Sequence, residues 1–184
     1  MTPIFIISGP SGAGEDSVIE GLKEKIDYAR VVTTVTRPKR SGESEGKPYY
    51  FVSRDTFERM KFKDEFIECA VVYGDYRGAT KKELDRLLIG TKPIIWKVDW
   101  QGVKTIKQKY PEAVSIFIVP PSYEALEARL RHRGDSREEV ARRKGFTIEW
   151  LEQKSVYDHI VVNEDGKLDE TILTVAKIIT EHHN

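Results

Sequence analysis

The chain has 184 residues with 30 basic and 30 acidic side chains, so it has a formal net charge of zero. The length predicts one domain with a buried core. The zero net charge gives no indication of a nucleic-acid or membrane partner. The single cysteine, Cys69, excludes an intrachain disulfide and suits a reducing compartment. Because there is no apolar run of about 18 residues and no signal-peptide pattern, we expect a soluble cytoplasmic protein.

The first predicted element is a buried strand over residues 3–8 (PIFIIS), a nearly continuous apolar run that ends in glycines. Apolar residues at helical spacing predict a helix over about 15–27. The turn between these elements therefore stands in the strand–turn–helix order of a phosphate-binding loop, in which backbone N–H groups point at phosphate oxygens.

The turn departs from the usual phosphate-loop pattern at its end. The pattern G-x-x-x-x-G-K-[ST] fits at Gly9 and Gly14, but Glu15 stands where the lysine belongs and Asp16 where the Ser or Thr belongs. An acidic group thus replaces the cation that normally neutralises the phosphates. The candidate loop consists of Gly9, Pro10, Ser11, Gly12, Ala13, Gly14, Glu15, Asp16 and Ser17.

The remaining chain mostly alternates strands with helices, which predicts a parallel sheet covered on both faces. Ligands of such sheets bind at the carboxyl ends of the strands. We expect strands at 93–98, 114–119 and about 158–162, and helices at about 100–109, 122–132 and 167–182.

Two segments interrupt this alternation. Residues from about 33 to 80 contain short alternating stretches and turn residues, which predict a small mixed lobe inserted into the α/β core. Residues 131–145 (RHRGDSREEVARRKG) are highly charged and lack an apolar period at their start, which suits a mobile flap over an anionic ligand.

Five motifs in order along the chain resemble those of guanylate kinases. They are TRPKRSGE at 36–43, YYFVS at 49–53, EFIE at 65–68, DWQGV at 99–103 and PPS at 120–122. The resemblance implies a P-loop NTPase fold with three α/β/α layers, a parallel core sheet, an inserted GMP-binding lobe and a lid. It places these parts in one domain over 1–184, with the core at about 1–32, 81–130 and 146–184, the lobe at about 33–80 and the lid at about 131–145.

The same resemblance implies transfer of a phosphoryl group from ATP to GMP, with Mg²⁺ as the metal and ADP and GDP as products. Asn163 would lie near the adenine, and Arg129, Arg133 and Arg143 would reach the transferring phosphoryl group from the lid side. The implied GMP-binding residues are Thr33, Arg37, Arg40, Glu43, Tyr49, Glu68, Arg77, Ala79 and Asp99.

The chemistry of some of these side chains also predicts a role without the resemblance. Arg37 and Arg40 flank a proline, and two guanidiniums on one loop suit bidentate phosphate binding; the alternative is a solvated basic turn. A buried Glu68 could accept from guanine N1–H and the exocyclic amine; the alternative is an outward-facing strand residue. Arg77 and Ala79 replace the family's tyrosine and Ser/Thr, which leaves guanine selectivity open.

Lys97 is a candidate replacement for the missing loop lysine. In the family this position is normally acidic, so the chain carries an acid at Glu15 and a base at Lys97, the reverse of the usual arrangement. We hypothesise that Lys97 reaches the phosphates from the neighbouring strand, while Asp16 binds Mg²⁺ and Glu15 is a second candidate ligand. Two alternatives are a loop that has lost its function and a solvated Lys97 paired with a surface acid.

Two further functions remain open from the sequence. The chain could be a catalytically dead module that binds GMP or a phosphopeptide through Arg37, Arg40 and Arg77, or a kinase for another small phosphorylated acceptor. The lid arginines and Asn163 favour an enzyme, because a phosphopeptide reader does not need them. The oligomeric state does not follow from the sequence.

Overall fold

A computed structural model describes residues 2–40 and 42–183, and its core is a five-stranded parallel sheet. Ser41, which belongs to the first quoted motif, lies outside the described residues. The order across the sheet is β10-β9-β1-β8-β2, and each pairing between these neighbours is parallel. The strands are β1 (Ile4–Ser8), β2 (Ala29–Arg30), β8 (Ile94–Lys97), β9 (Val114–Val119) and β10 (His159–Val162).

Helices cover both faces of this sheet, and β1 divides its side chains between them. Ile4 and Ile6 belong to one apolar cluster, while Phe5 and Ile7 belong to the other, as the two-residue period of a strand requires. The predicted three-layer α/β/α fold is therefore confirmed. The helices are α1 (Glu15–Leu22), α2 (Arg54–Phe62), α3 (Lys81–Leu88), α4 (Trp100–Lys109), α5 (Tyr123–His132), α6 (Arg137–Glu152) and α7 (Leu168–His183).

A second, mixed sheet lies between β2 and α3 in the chain. Its order is β4-β5-β3-β7-β6, and β6 and β7 form an antiparallel hairpin. In this hairpin Glu68, Ala70 and Val72 of β6 and Arg77 of β7 face the same cavity. The strands are β3 (Thr33–Val35), β4 (Ser44–Glu45), β5 (Pro48–Phe51), β6 (Phe66–Val72) and β7 (Asp75–Thr80).

One expectation about secondary structure was wrong, and the structure adds helix where the sequence predicted only a charged flap. The first helix ends at Leu22 rather than near 27; Ile26 packs on the same apolar cluster as α1, which explains the misleading period. The segment at 131–145 is largely helical, because α5 ends at His132 and α6 starts at Arg137 and continues beyond 145. Ser136 and Glu139 form a capping box at its start, a signal that the sequence already contained.

None of the helices in the described part of the chain is long and apolar enough to cross a bilayer.

The central strand provides a test of the core. Ile6 is fully buried, so Ile6→Ala should lower the free energy of unfolding by about 2–5 kcal/mol through lost burial and a residual cavity. Ile160 on the edge strand β10 is 49% exposed, and Ile160→Ala is the matched control with a much smaller loss. Urea unfolding measures both, and equal losses would contradict the core assignment.

Candidate functional site

A cavity of about 150 Å³ lies where the carboxyl ends of β1 and β8 meet the second sheet and α6. Fifteen residues predicted from the sequence as site residues line it. They are Gly9, Ser11, Gly12, Glu15, Asp16, Thr33, Arg37, Arg40, Tyr49, Glu68, Arg77, Lys97, Asp99, Arg133 and Arg143. The structure therefore brings the candidate phosphate loop, the second sheet and the charged segment together around one space.

The side chain of Asn163 binds the candidate phosphate loop through a hydrogen bond. Its Nδ2 donates to the Ala13 carbonyl at 2.8 Å, and a Cβ added at Gly14 would lie 2.3 Å from that nitrogen. Gly14 also has a φ of 102°, so both space and backbone conformation require glycine there. The Asn163 side chain is buried and does not line the cavity; its contact in this structure is with the loop.

Lys97 lies beside the first turn of α1. Its Nζ is 2.5 Å from Asp16 Oδ2 and 3.9 Å from Glu15 Oε1. The parallel register of β1 and β8 sets Lys97 opposite Ile7, two residues before the loop begins at Gly9. Arg30 donates to the other Asp16 oxygen at 2.8 Å. The acid–base reversal in the sequence thus corresponds to an ion pair between the end of β8 and the first turn of α1.

The pKa values of these groups follow from burial and mutual attraction. Burial raises the pKa of Glu15, although Lys97 opposes this shift. Burial would also raise the pKa of Asp16, but Lys97 and Arg30 outweigh it and hold that pKa well below its usual range. Burial would lower the pKa of Lys97, but the two carboxylates raise it instead. Lys97 is therefore a charged ammonium at neutral pH.

Asp16 is the loop residue whose chemistry suits a divalent cation. Mg²⁺ binds carboxylate oxygens and, at nucleotide sites, needs only one or two of them together with phosphates and water. Asp16 has a side chain that is 58% exposed, but Lys97 and Arg30 contact its two oxygens. No group of three candidate metal ligands occurs among residues 2–40 and 42–183. Direct binding to Asp16 would require one of these cations to give way.

Arg37 is fixed by an acid outside the cavity lining. Its guanidinium donates to both Glu43 oxygens at 2.5 and 2.7 Å and lies over the Tyr49 ring at 4.9 Å. The Arg40 N–H also donates to Glu43 at 2.8 Å. Glu43 therefore orders the loop that carries both arginines, and it does not itself line the cavity.

Two arginines add positive charge to the cavity lining. Within the described residues, neither Arg40 nor Arg77 has a salt-bridge partner, and the Arg77 Nε is buried without a hydrogen bond. Burial and then the neighbouring Arg37, Arg133 and Arg143 lower the pKa of Arg40. Like charges that converge in this way favour an anionic ligand.

Glu68 is a buried acid at the other end of the cavity. One of its oxygens accepts from the Ala79 N–H at 3.0 Å, which is how Ala79 acts on the site although it does not line it. Burial, followed by the nearby Asp99, raises the pKa of Glu68 to about 8. Asp99 caps α4 by accepting from the Gly102 N–H at 2.8 Å, and burial raises its pKa as well.

Two of the three lid-side arginines reach the cavity. Arg143 Nη1 donates to Ser11 Oγ at 2.7 Å, and Arg133 Nη2 lies 3.5 Å from the same oxygen. Asp135 pairs with both, at 2.5 Å for Arg133 and 3.3 Å for Arg143. Arg129 instead lies outside the cavity lining, where it donates to Asp165 and to the Asn163 carbonyl.

Several residues at the site were missed from the sequence. Arg142 and Tyr73 line the cavity, and Arg30 and Asp135 hold other site residues through ion pairs. The turn sequence Tyr73-Gly74 gave no clear hairpin signal, because two-residue hairpin loops prefer Asn-Gly, Asp-Gly or Gly-Gly. Nothing in the local pattern indicated Arg30 or Asp135, because their partners are brought close only by folding.

The raised pKa of Glu68 predicts a specific pH dependence of stability. The folded state keeps a proton that the unfolded chain loses above about pH 4.5, so this group lowers the free energy of unfolding as pH rises from about 4.5 to about 8. Glu68→Gln cannot lose that proton and should gain roughly 1–3 kcal/mol relative to wild type between pH 5.5 and 8.5.

Urea unfolding at the two pH values measures this difference. Glu112→Gln changes an exposed acid and is the matched control, for which we expect little change. A Glu68→Gln difference that stays constant with pH would contradict the raised pKa.

Comparisons with known proteins cover nearly the whole chain. The guanylate kinase family model matches residues 1–182. The chain is 40% identical over 184 residues to guanylate kinase from Buchnera aphidicola, covering 98% of this chain and 88% of the relative. It is 39% identical over 180 residues to the Escherichia coli K12 guanylate kinase, covering 96% and 86%.

A solved structure agrees with these sequence matches. The crystal structure of guanylate kinase from Anaplasma phagocytophilum superposes with a TM-score of 0.78 at 32% identity, covering 99% of this chain and 86% of that one. A family model over residues 1–182 and relatives about 40% identical over nearly the whole chain, together with the shared fold, show that the chain belongs to the guanylate kinase family.

Proposed function

We propose that the protein transfers a phosphoryl group from ATP to GMP. The observation that carries the proposal is the single cavity that a glycine-rich loop, a buried acid, Arg40 and Arg77 line together. A nucleotide phosphate chain at the loop and a nucleoside monophosphate in the second sheet would meet there. Membership of a family of nucleoside monophosphate kinases supports the same reaction.

The second sheet supplies the proposed acceptor site. Arg37, Arg40 and Tyr49 would bind the GMP phosphate, with Arg77 adding charge where the family has tyrosine, while Thr33 would help to read the base. Glu68 would accept from guanine N1–H and the exocyclic amine, and it must give up its proton to accept both. Because adenine presents a different edge, a buried Glu68 would discriminate against it.

The transfer step needs positioning and charge rather than a protein nucleophile. Arg133 and Arg143 contact Ser11 of the loop, so they are placed to stabilise charge on a phosphoryl group held there. Arg129, whose guanidinium contacts the loop from outside the cavity, would fix the loop. Asn163 would hold the loop near the adenine, and Mg²⁺ on Asp16 would neutralise charge on phosphate oxygens.

Lys97 is the proposed substitute for the missing loop lysine. Its ammonium lies next to Glu15 and Asp16, so the swap of acid and base is local. A unit-charge pair at about 4 Å and an effective dielectric near 20 is worth about 4 kcal/mol. The repulsion between uncompensated carboxylates and nucleotide phosphates would oppose nucleotide binding by a similar free energy. By neutralising the carboxylates, Lys97 would remove that repulsion even without contacting a phosphate itself.

A non-catalytic module is the second candidate, and one observation favours it. Glu15 and Asp16 already neutralise Lys97, whereas Arg40 and Arg77 remain available to bind the phosphate of GMP or of a phosphopeptide. The contacts of Arg133 and Arg143 with the loop favour the enzyme, because a phosphate-binding module has no use for them.

Turnover separates these candidates. With ATP and Mg²⁺, we expect wild-type protein to release ADP faster with GMP or dGMP than with AMP or UMP, because Glu68 selects the guanine base that GMP and dGMP share. A coupled ADP assay measures the rates. Binding of GMP without turnover would support the module, and faster turnover with another acceptor would point to the altered Arg77 and Ala79 positions.

Lys97→Ala should reduce kcat by roughly 10²–10⁴, as expected when a preorganised charge contact is lost. Lys92 forms a surface pair with Asp27 just before β8, and Lys92→Ala is the matched control with little expected effect. The double change Glu15→Lys with Lys97→Asp should recover more activity than either single change, because the sites are coupled. A Lys97→Ala rate close to wild type would overturn the relocation.

A further inference from the structure

The turn between β6 and β7 holds a residue that its backbone does not favour. Val72 pairs with Asp75, so Tyr73 and Gly74 form a two-residue hairpin loop, and their φ values are 56° and 89°. Such loops prefer Asn-Gly, Asp-Gly or Gly-Gly because both residues need positive φ. A bulky tyrosine in this conformation is an outlier that suggests a role for its side chain.

The Tyr73 side chain contacts the lid helix α6. Its ring lies edge to face with Phe146, with the centroids 5.0 Å apart, and the Arg143 Cζ lies 5.0 Å from the same centroid. Arg143 and Phe146 are three residues apart and therefore lie on one face of the helix. Within the described residues the Tyr73 hydroxyl is buried and has no hydrogen-bond partner, so the ring makes the contact.

Three groups around Arg143 fix its direction. Ser11 Oγ accepts from Nη1 at 2.7 Å, Asp135 lies 3.3 Å from Nη2, and the Tyr73 ring covers a face of the guanidinium. Asp135 belongs to the same charged segment as Arg143 and would move with it. The Tyr73 ring is thus the contact that ties this arginine to the second sheet.

We propose that Tyr73 is a positioning residue that links the acceptor-binding hairpin to the phosphoryl-binding arginine. The hairpin that ends in Tyr73 also carries Glu68 and Arg77 on its cavity face. An acceptor bound to those residues and the Arg143 guanidinium on Ser11 are therefore held in a fixed relation by one ring. This inference rests on the proposed function in one respect, that Arg143 stabilises the transferring phosphoryl group.

The physical consequence concerns the transition state more than acceptor binding. An arginine held in place before reaction gives up no rotamer freedom when charge develops, whereas a loose one must be ordered at that moment. Loss of the ring should therefore lower kcat, while the contacts that bind GMP remain in place.

Tyr73→Asn is the discriminating variant, because Asn suits the turn better than Tyr. We measure kcat below the melting temperature of the variant, because the lost ring also removes packing against the core. There we expect kcat to fall by about 10- to 100-fold and KM for GMP to change by less than about threefold. A purely structural role predicts full activity at that temperature, and that result would overturn the proposal. In an Arg143→Ala background, Tyr73→Asn should cause little further loss.

Two more variants assign the effect to the ring. Tyr73→Phe keeps the ring and removes an unpartnered hydroxyl, so its kcat should stay within about threefold of wild type; a loss as large as that of Tyr73→Asn would overturn the role given to the ring. Asp64 is the other described non-glycine residue with positive φ, 55°, and lies outside the cavity lining. Asp64→Asn is the control and should leave kcat unchanged.

A readout independent of turnover keeps this inference separable from the proposed function. Amide hydrogen exchange over residues 133–143 in nucleotide-free protein should be faster in Tyr73→Asn than in wild type and in Asp64→Asn. If wild-type protein fails to turn over GMP, the proposed function is wrong. The exchange comparison still tests whether Tyr73 couples the β6–β7 hairpin to α6. Equal exchange in all three proteins would overturn the link between the hairpin and the lid helix.

Discussion

The ion pair between Lys97 and the carboxylates of Glu15 and Asp16 is the constraint on which the site depends. Two acids at the start of α1, beside a loop built to receive phosphate, would repel any nucleotide if no cation lay within a few ångströms. Lys97 meets this need because β8 runs parallel to β1 and ends beside the loop. The parallel sheet therefore forms the core and also determines which charges meet in the cavity.

The cavity is formed by three parts of the chain that are separate in sequence. β1 and β8 bring the loop and Lys97, the second sheet brings Glu68 and the unpaired arginines, and α6 brings Arg143. The contacts between these parts join residues far apart in the chain: Asp135 holds Arg133 and Arg143 together, and the loop hydroxyl of Ser11 accepts from Arg143.

Family membership is shown over the length of the chain, and by the resemblance described above the sequence departs from the family's motifs at Glu15, Lys97, Arg77 and Ala79. Three of these residues line the cavity, and Ala79 acts on it through its N–H bond to Glu68. Glu15 and Lys97 lie within 3.9 Å of each other, and Arg77 lines the same cavity wall. Under the proposed relocation, the exchanged signs of Glu15 and Lys97 would compensate each other.

The sequence by itself determined the layers, the order of the elements and most of the cavity lining. A nearly continuous apolar run predicts a strand such as β1, and the spacing of the glycines predicts the loop. Both signals can be read from the sequence because they depend only on neighbours in the chain. It failed where the signal was ambiguous: Ile26 mimicked a helical period, and the capping box at Ser136 was hidden in a charged stretch.

Only the tertiary structure decided where the charges go. Lys97 could have pointed to solvent, and the choice of Asp16 and Glu15 as its partners follows from the register of β8 against β1. The same is true of Arg30 on Asp16, Asp135 on Arg143 and Tyr73 against α6. Ion pairs and ring contacts join residues far apart in the chain, so no local pattern specifies them. The helices and strands that bring these residues together are instead predicted by the local spacing of apolar residues.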